Sequence, residues 1–127
     1  MREVTRYPIW SAVLALALSI AGPFAAIADD APIIADTDAP AHIGQIATVQ
    51  GLVAEVYTSS KGNVFLDFEN PYPNEVFSGV IFSSAVPQFG DLNAYQGKRV
   101  QVTGPIRLYK GKPEIILDSP IQLRLAQ

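Results

Sequence analysis

Five cations fall between Lys98 and Lys112 with no acid among them: Lys98, Arg99, Arg107, Lys110 and Lys112. A stripe of this kind steers polyanions even where net charge does not favour them. In KRVQVTGPIRLY (98–109) the residues alternate, so Arg107 and Tyr109 share one face with Arg99, Gln101 and Thr103. A guanidinium beside a phenol ring can clamp and stack a flat ligand, and the same pair also suits an ordinary amphipathic strand face. A second group is Asp67, Glu69 and Glu75. Their carboxylates are hard oxygen ligands of the kind calcium takes, but no D-x-D-x-D-G loop frames them, and a wet strand face explains them as well. His42 is the single histidine and cysteine is absent. A histidine triad, a zinc site and thiol chemistry therefore lack their partners. No serine stands in G-x-S-x-G. The expectation is a protein without catalytic residues, metal or cofactor.

The elements that must position these residues read as strands. Residues 46–57 (IATVQGLVAEVY) are rich in β-branched residues, and apolar spacing shifts from two to three at Val56, which suggests a bulge. Lys61-Gly62-Asn63 is turn chemistry. Residues 64–69 (VFLDFE) alternate, with Val64, Leu66 and Phe68 facing one way and Phe65, Asp67 and Glu69 the other. Two prolines make 70–74 a loop, where Tyr72 is expected as an anchor; 76–82 (VFSGVIF) is a third strand. Val86, Phe89 and Leu92 give a short helical face, capped by Ser83 or Ser84 and ended by Gly90. Residues 98–109 form the fourth strand, and Lys110-Gly111 a tight hairpin. The fifth strand is 114–125, its second half demoted to an edge by Pro120. Gly51 and Gly104 lie inside strands, each in a Val-x-Gly-x-Val/Ile pattern, and such glycines permit the coiling that a small barrel needs.

The N-terminus reads differently. Arg2 and Arg6 precede an apolar run from Ile9 to Ile20, then Gly22-Pro23 and Ala26-Ile27-Ala28. This is the layout of a secretory signal peptide over 1–28, and the run is short for a membrane span. Residues 29–42 hold Asp29, Asp30, Asp36 and Asp38 among alanines and prolines, and are expected to be a disordered acidic leader. The domain is expected over 43–127. From His42 onward seven cations balance seven acids, so the domain is neutral although the whole chain carries −3.

The strand order β-β-β-α-β-β, with VQGLVAEVY, GNVFLDFE and RVQVTGPIRLYKGKPEIIL, resembles the OB-fold domains of the tRNA-anticodon and helicase type. The resemblance covers about 44–124 and implies an all-β fold: a small five-stranded OB-fold barrel with a short helix between strands three and four. It implies that single-stranded nucleic acid lies across strands two and three and the loops after strands one and four. Phe65 then matches a ring that stacks on a base, with Phe77 as its face-mate across the hairpin. Lys61 and Asn63 match the first loop; Tyr109, Lys110 and Lys112 match the later hairpin. Phe65 can equally pack beneath the leader or a loop. Asp67 and Glu69, on the face of Phe65, repel a phosphate backbone, which departs from the usual basic pattern.

Three functions are in view. The resemblance and the cation stripe point to an exported, periplasmic or secreted module for single-stranded DNA or RNA with weak sequence preference. The neutral domain and its carboxylates point to a periplasmic module for another exported protein or a small ligand, in an envelope or stress role. A metal-dependent nuclease rests on Asp67 and Glu69 alone.

Overall fold

The computed structural model describes residues 31–127. The expected signal peptide, 1–28, lies outside the described residues. Eight strands run through them: β1 (Ile33–Ala35), β2 (Ile46–Thr58), β3 (Val64–Phe68), β4 (Phe77–Ile81), β5 (Arg99–Pro105), β6 (Arg107–Tyr109), β7 (Lys112–Ile116) and β8 (Leu123–Leu125). They form one mixed sheet whose pairing order is β6-β7-β4-β3-β2-β5-β8, with β1 added parallel to β2.

Alternation explains the central strands. Ala47, Val49 and Val53 of β2, Val64, Leu66 and Phe68 of β3, and Val100 and Val102 of β5 all turn into one buried core. Burying such side chains is the main term holding a chain of this size together. The β2–β3 register shifts between Val53 and Glu55, at the place where the apolar spacing changes. This bulge lets β2 bend and pair with β5 along its first part and with β3 along its second.

Several expectations about the elements change. The barrel of five strands becomes a sheet of eight, because the fourth and fifth strands each divide and 33–35 adds another. Ile106 leaves the β5 ladder: its N–H donates to Gln45 O (2.9 Å), and its carbonyl accepts from Gly44 N–H (2.7 Å). The last segment breaks after Ile116 into a 3-10 turn, Pro120–Gln122, and then β8. Among the described residues no ladder joins the two ends of the pairing order, β6 and β8.

The short helix between strands three and four is two 3-10 turns, Val86–Gln88 and Leu92–Tyr95. Pro87 lacks an N–H, and Gly90 at φ 71° ends the first turn before an α-helical ladder can start. The second is capped by Asp91, whose carboxylate accepts from Asn93 N–H; the expected serines do not cap the first.

The leader also differs from its expectation over its described part. β1 pairs with Thr48–Gln50, and Asp36–His42 forms a 3-10 helix that buries Asp36 and Ala39. Three strand residues and an irregular turn leave no periodicity for pattern reasoning to detect, yet the backbone of β2 offers them a free edge.

Candidate functional site

β2, β3, β4, β6 and β7 and the loop before β4 enclose an open groove of about 800 Å³. Each ring in it comes from a different piece of chain. The β2–β3 hairpin sets Tyr57 opposite Phe65, their centroids 6.2 Å apart and tilted by 34°. Tyr72 comes from the 70–74 loop, and Tyr109 from the end of β6. Tyr57, Tyr72 and Tyr109 are at least half exposed, and Phe65 is half-buried. Hydrophobic rings left open on several elements of one concave surface suit a flat apolar ligand face.

Charge surrounds these rings in alternating sign. Lys112 Nζ is 2.8 Å from Glu75 Oε1 and also donates to Pro73 O, so it ties β7 to the loop. Arg107 Nε is 3.1 Å from Glu114 Oε2 across the β6–β7 pair. Lys110 Nζ lies 5.4 Å from the Tyr109 centroid, and the Arg107 guanidinium carbon 6.0 Å from it. At the tip of this hairpin Lys110 and Gly111 both have positive φ, 50° and 82°, which gives the tight turn that Lys-Gly suggests and carries Lys110 to the rim.

Asp67 stands beneath, almost fully buried, and its Oδ1 accepts from the Ser78 hydroxyl (3.2 Å). Burial, and then the negative charge of Glu75, push its carboxyl up to about 6. Burial also raises Glu114, against the pull of Arg107. Glu55 adds a fourth carboxylate to the lining. The groove is thus aromatic and of mixed charge, with Lys110 the lysine at its rim that forms no ion pair among the described residues.

The structure brings Phe65, Tyr109, Lys110 and Lys112 together in this lining, with Arg107 beside it. Phe77 does not join them. It is fully buried and packs edge-on to Phe68, ring centroids 5.1 Å apart. The register is the reason: Phe77 pairs with the inward Phe68, so Ser78 and Val80 are the residues opposite Asp67 and Phe65. Lys61 and Asn63 lie at the β2–β3 turn, outside the groove lining. Asn63 Oδ1 accepts from Ser83 N–H (2.9 Å), which ties that turn to the segment after β4.

Asp67 and Glu69 do not stay on one face. Glu69 follows β3 at φ 70°, and its carboxylate accepts from Leu52 N–H (3.3 Å), away from the groove. Arg99 leaves the cation stripe in the same direction, its charge acting on Asp36 and Glu69. Tyr57 was not among the expected site residues. Counting outward from the 59–63 turn pairs Thr58 with Val64 and Tyr57 with Phe65, and that count was the available signal.

No known protein family matches the sequence, and no curated protein matches it. Solved structures do. An aspartyl-tRNA synthetase from Leishmania major Friedlin superposes with a TM-score of 0.50 at 9% identity, over 76% of this chain and 21% of that one. An asparaginyl-tRNA synthetase from Pyrococcus horikoshii gives 0.49 at 15% identity, over 74% and 23%. One from Entamoeba histolytica gives 0.47 at 16%, over 75% and 23%. The chain spans less than a quarter of the length of these structures. The first likeness is one of fold alone, and the β-rich mixed sheet is consistent with an OB-like arrangement.

Proposed function

We propose that this chain is an exported binding module, not an enzyme, that holds single-stranded nucleic acid in the aromatic groove. The observation that carries the reading is the convergence of Tyr57, Phe65, Tyr72 and Tyr109 from four separate segments on one open surface. Bases stack on such rings at about 1–3 kcal/mol each without a sequence code. Lys110 at the rim meets a phosphate; Lys112 and Arg107 are held by Glu75 and Glu114, so the electrostatic share of binding is small. An OB-like fold also present in an enzyme named for tRNA supports the reading in kind. Export rests on the layout of 1–28, and the N-terminal sequence of chain recovered from an exported fraction tests it.

The test of the groove is a titration with a short single-stranded oligonucleotide, followed by NMR. Ring signals of Tyr57, Phe65 and Tyr109 shift on binding if the reading holds, while those of Phe77 do not. Glu55, Asp67, Glu75 and Glu114 favour a second reading, a basic segment of a partner protein. A lysine-rich peptide that shifts the same rings, where the oligonucleotide shifts none, selects that reading.

A further inference from the structure

Outside the groove lining, the chain ahead of β2 sets one acid beside another. Asp36 opens the 3-10 helix that follows β1 and is 4% exposed. Its Oδ2 is buried without a conventional hydrogen-bond partner. Such an orphaned oxygen is costly if the group is ionised. The group beside it is another carboxyl, Glu69, which already accepts from Leu52 N–H. Two carboxylates cannot hydrogen-bond to each other, but a carboxylic acid donates readily to a carboxylate. Gly51 completes the seat: a Cβ there would collide with Asp36 Oδ2 and with the Phe68 ring, so the bare backbone of β2 makes room for the acid. β1 on one side and Ala39, fully buried, on the other hold the same segment to the sheet.

We infer that Asp36 and Glu69 share one proton as a latch, which holds the segment 33–42 on the sheet in mildly acidic solution and loosens it in alkaline solution. The proton sits on Asp36 and is donated to Glu69; its loss leaves two negative charges side by side under the segment.

The electrostatics agree in direction. Burial first, and then the hydrogen bond and charge of Glu69, push Asp36 up to about 7, against Thr37 N–H and Arg99. The hydrogen bond from Asp36 holds Glu69 below its ordinary value. The charged groups facing the pair are Arg99 at the start of β5 and the two acids themselves, while Glu114 and Lys112 on β7 face the groove. On the segment itself Asp38 is exposed, and His42 is engaged with Gln45 Oε1 at 2.9 Å. An acid raised in the folded state gives stability that is full below its unfolded value, here 3.8, and that is lost as pH rises through the folded one.

Hydrogen exchange on the full chain tests this, read as protection factors corrected for intrinsic rate at about pH 5.5 and about pH 8.5. The Thr48 N–H, which donates to Pro32 O, and the amides of 36–39, 41 and 42 report the segment; Leu66 and Ile115 report the core. The expected result is a loss of protection of about tenfold or more in the segment at the higher pH, with the core amides unchanged. Asp36→Asn donates to Glu69 at every pH and should abolish the dependence. Equal protection at both pH values, or an equal loss in the core, overturns the inference. Should the variant fail to fold, the carboxyl carbon of Asp36 in the unaltered chain decides by NMR: a midpoint near 7 supports the latch, and one near 4 overturns it.

Discussion

Gly104 of β5 lies against Ile115 of β7 so closely that a Cβ on the glycine would stand 2.8 Å from Ile115 Cγ2. No ladder joins these two strands, yet they approach here, and Gln122 bridges them. Its Nε2 donates to Thr103 O (2.9 Å) and Ile116 O (3.2 Å), while its Oε1 accepts from Asp118 and Ser119 N–H. The seam is held by an absent methyl group and one amide.

Two substitutions probe that seam. Gly104→Ala overpacks it and should cost about 1–3 kcal/mol. Gln122→Ala leaves the part-buried carbonyls of Thr103 and Ile116 without this donor and should cost about 1 kcal/mol. Denaturant unfolding of each variant measures both, and values within about 0.5 kcal/mol of the unaltered chain would show that the seam contributes nothing.

Phe65 and Phe77 should part company. Phe65→Ala removes a groove wall and should weaken oligonucleotide binding by about 1–3 kcal/mol with a smaller effect on stability. Tyr109→Ala should do the same. Phe77→Ala empties a core position against Phe68 and should cost about 3–5 kcal/mol of stability. Binding isotherms and thermal melts of the three variants separate the roles; a Phe77 variant that melts like the unaltered chain refutes the assignment of that ring to the core.

Binding should also respond to acid. Asp67, raised to about 6, takes up a proton as pH falls through that value and removes a negative charge from beneath the rings. Oligonucleotide affinity should therefore rise between about pH 7.5 and about pH 5.5. Asp67→Asn should bind more tightly at the higher pH and lose most of that change. The ionised acid is destabilising in its buried site, so the same variant should be more stable than the unaltered chain above about pH 7. Binding that weakens as the pH falls would contradict this account of Asp67.

Much of the arrangement was legible in the residues, and the misses have physical causes. Strict alternation placed Val64, Leu66 and Phe68 inward and Phe65 outward, because a strand's two faces repeat every second residue. The same rule failed for Phe77, since VFSGVIF is apolar on both faces and only its pairing with Phe68 sets its parity. Glu69 followed the alternation in sequence but not in space, as its positive φ turns the chain out of β3. The latch of Asp36 was hidden because a buried acid in an Asp- and Pro-rich stretch looks like solvated leader until the bare backbone of Gly51 is seen beneath it. In the sequence Gly51 and Gly104 suggest strand coiling; in the structure each is a place where another side chain needs the space of a missing Cβ.

The groove is the centre of the account, and fluorescence anisotropy of a labelled single-stranded oligonucleotide across a salt series tests it most directly. The account predicts saturable, weak binding that fades shallowly as salt rises, in keeping with few phosphate contacts, and that Phe65→Ala weakens by about 1–3 kcal/mol. No binding at low ionic strength, or binding that Phe65→Ala leaves untouched, would contradict it.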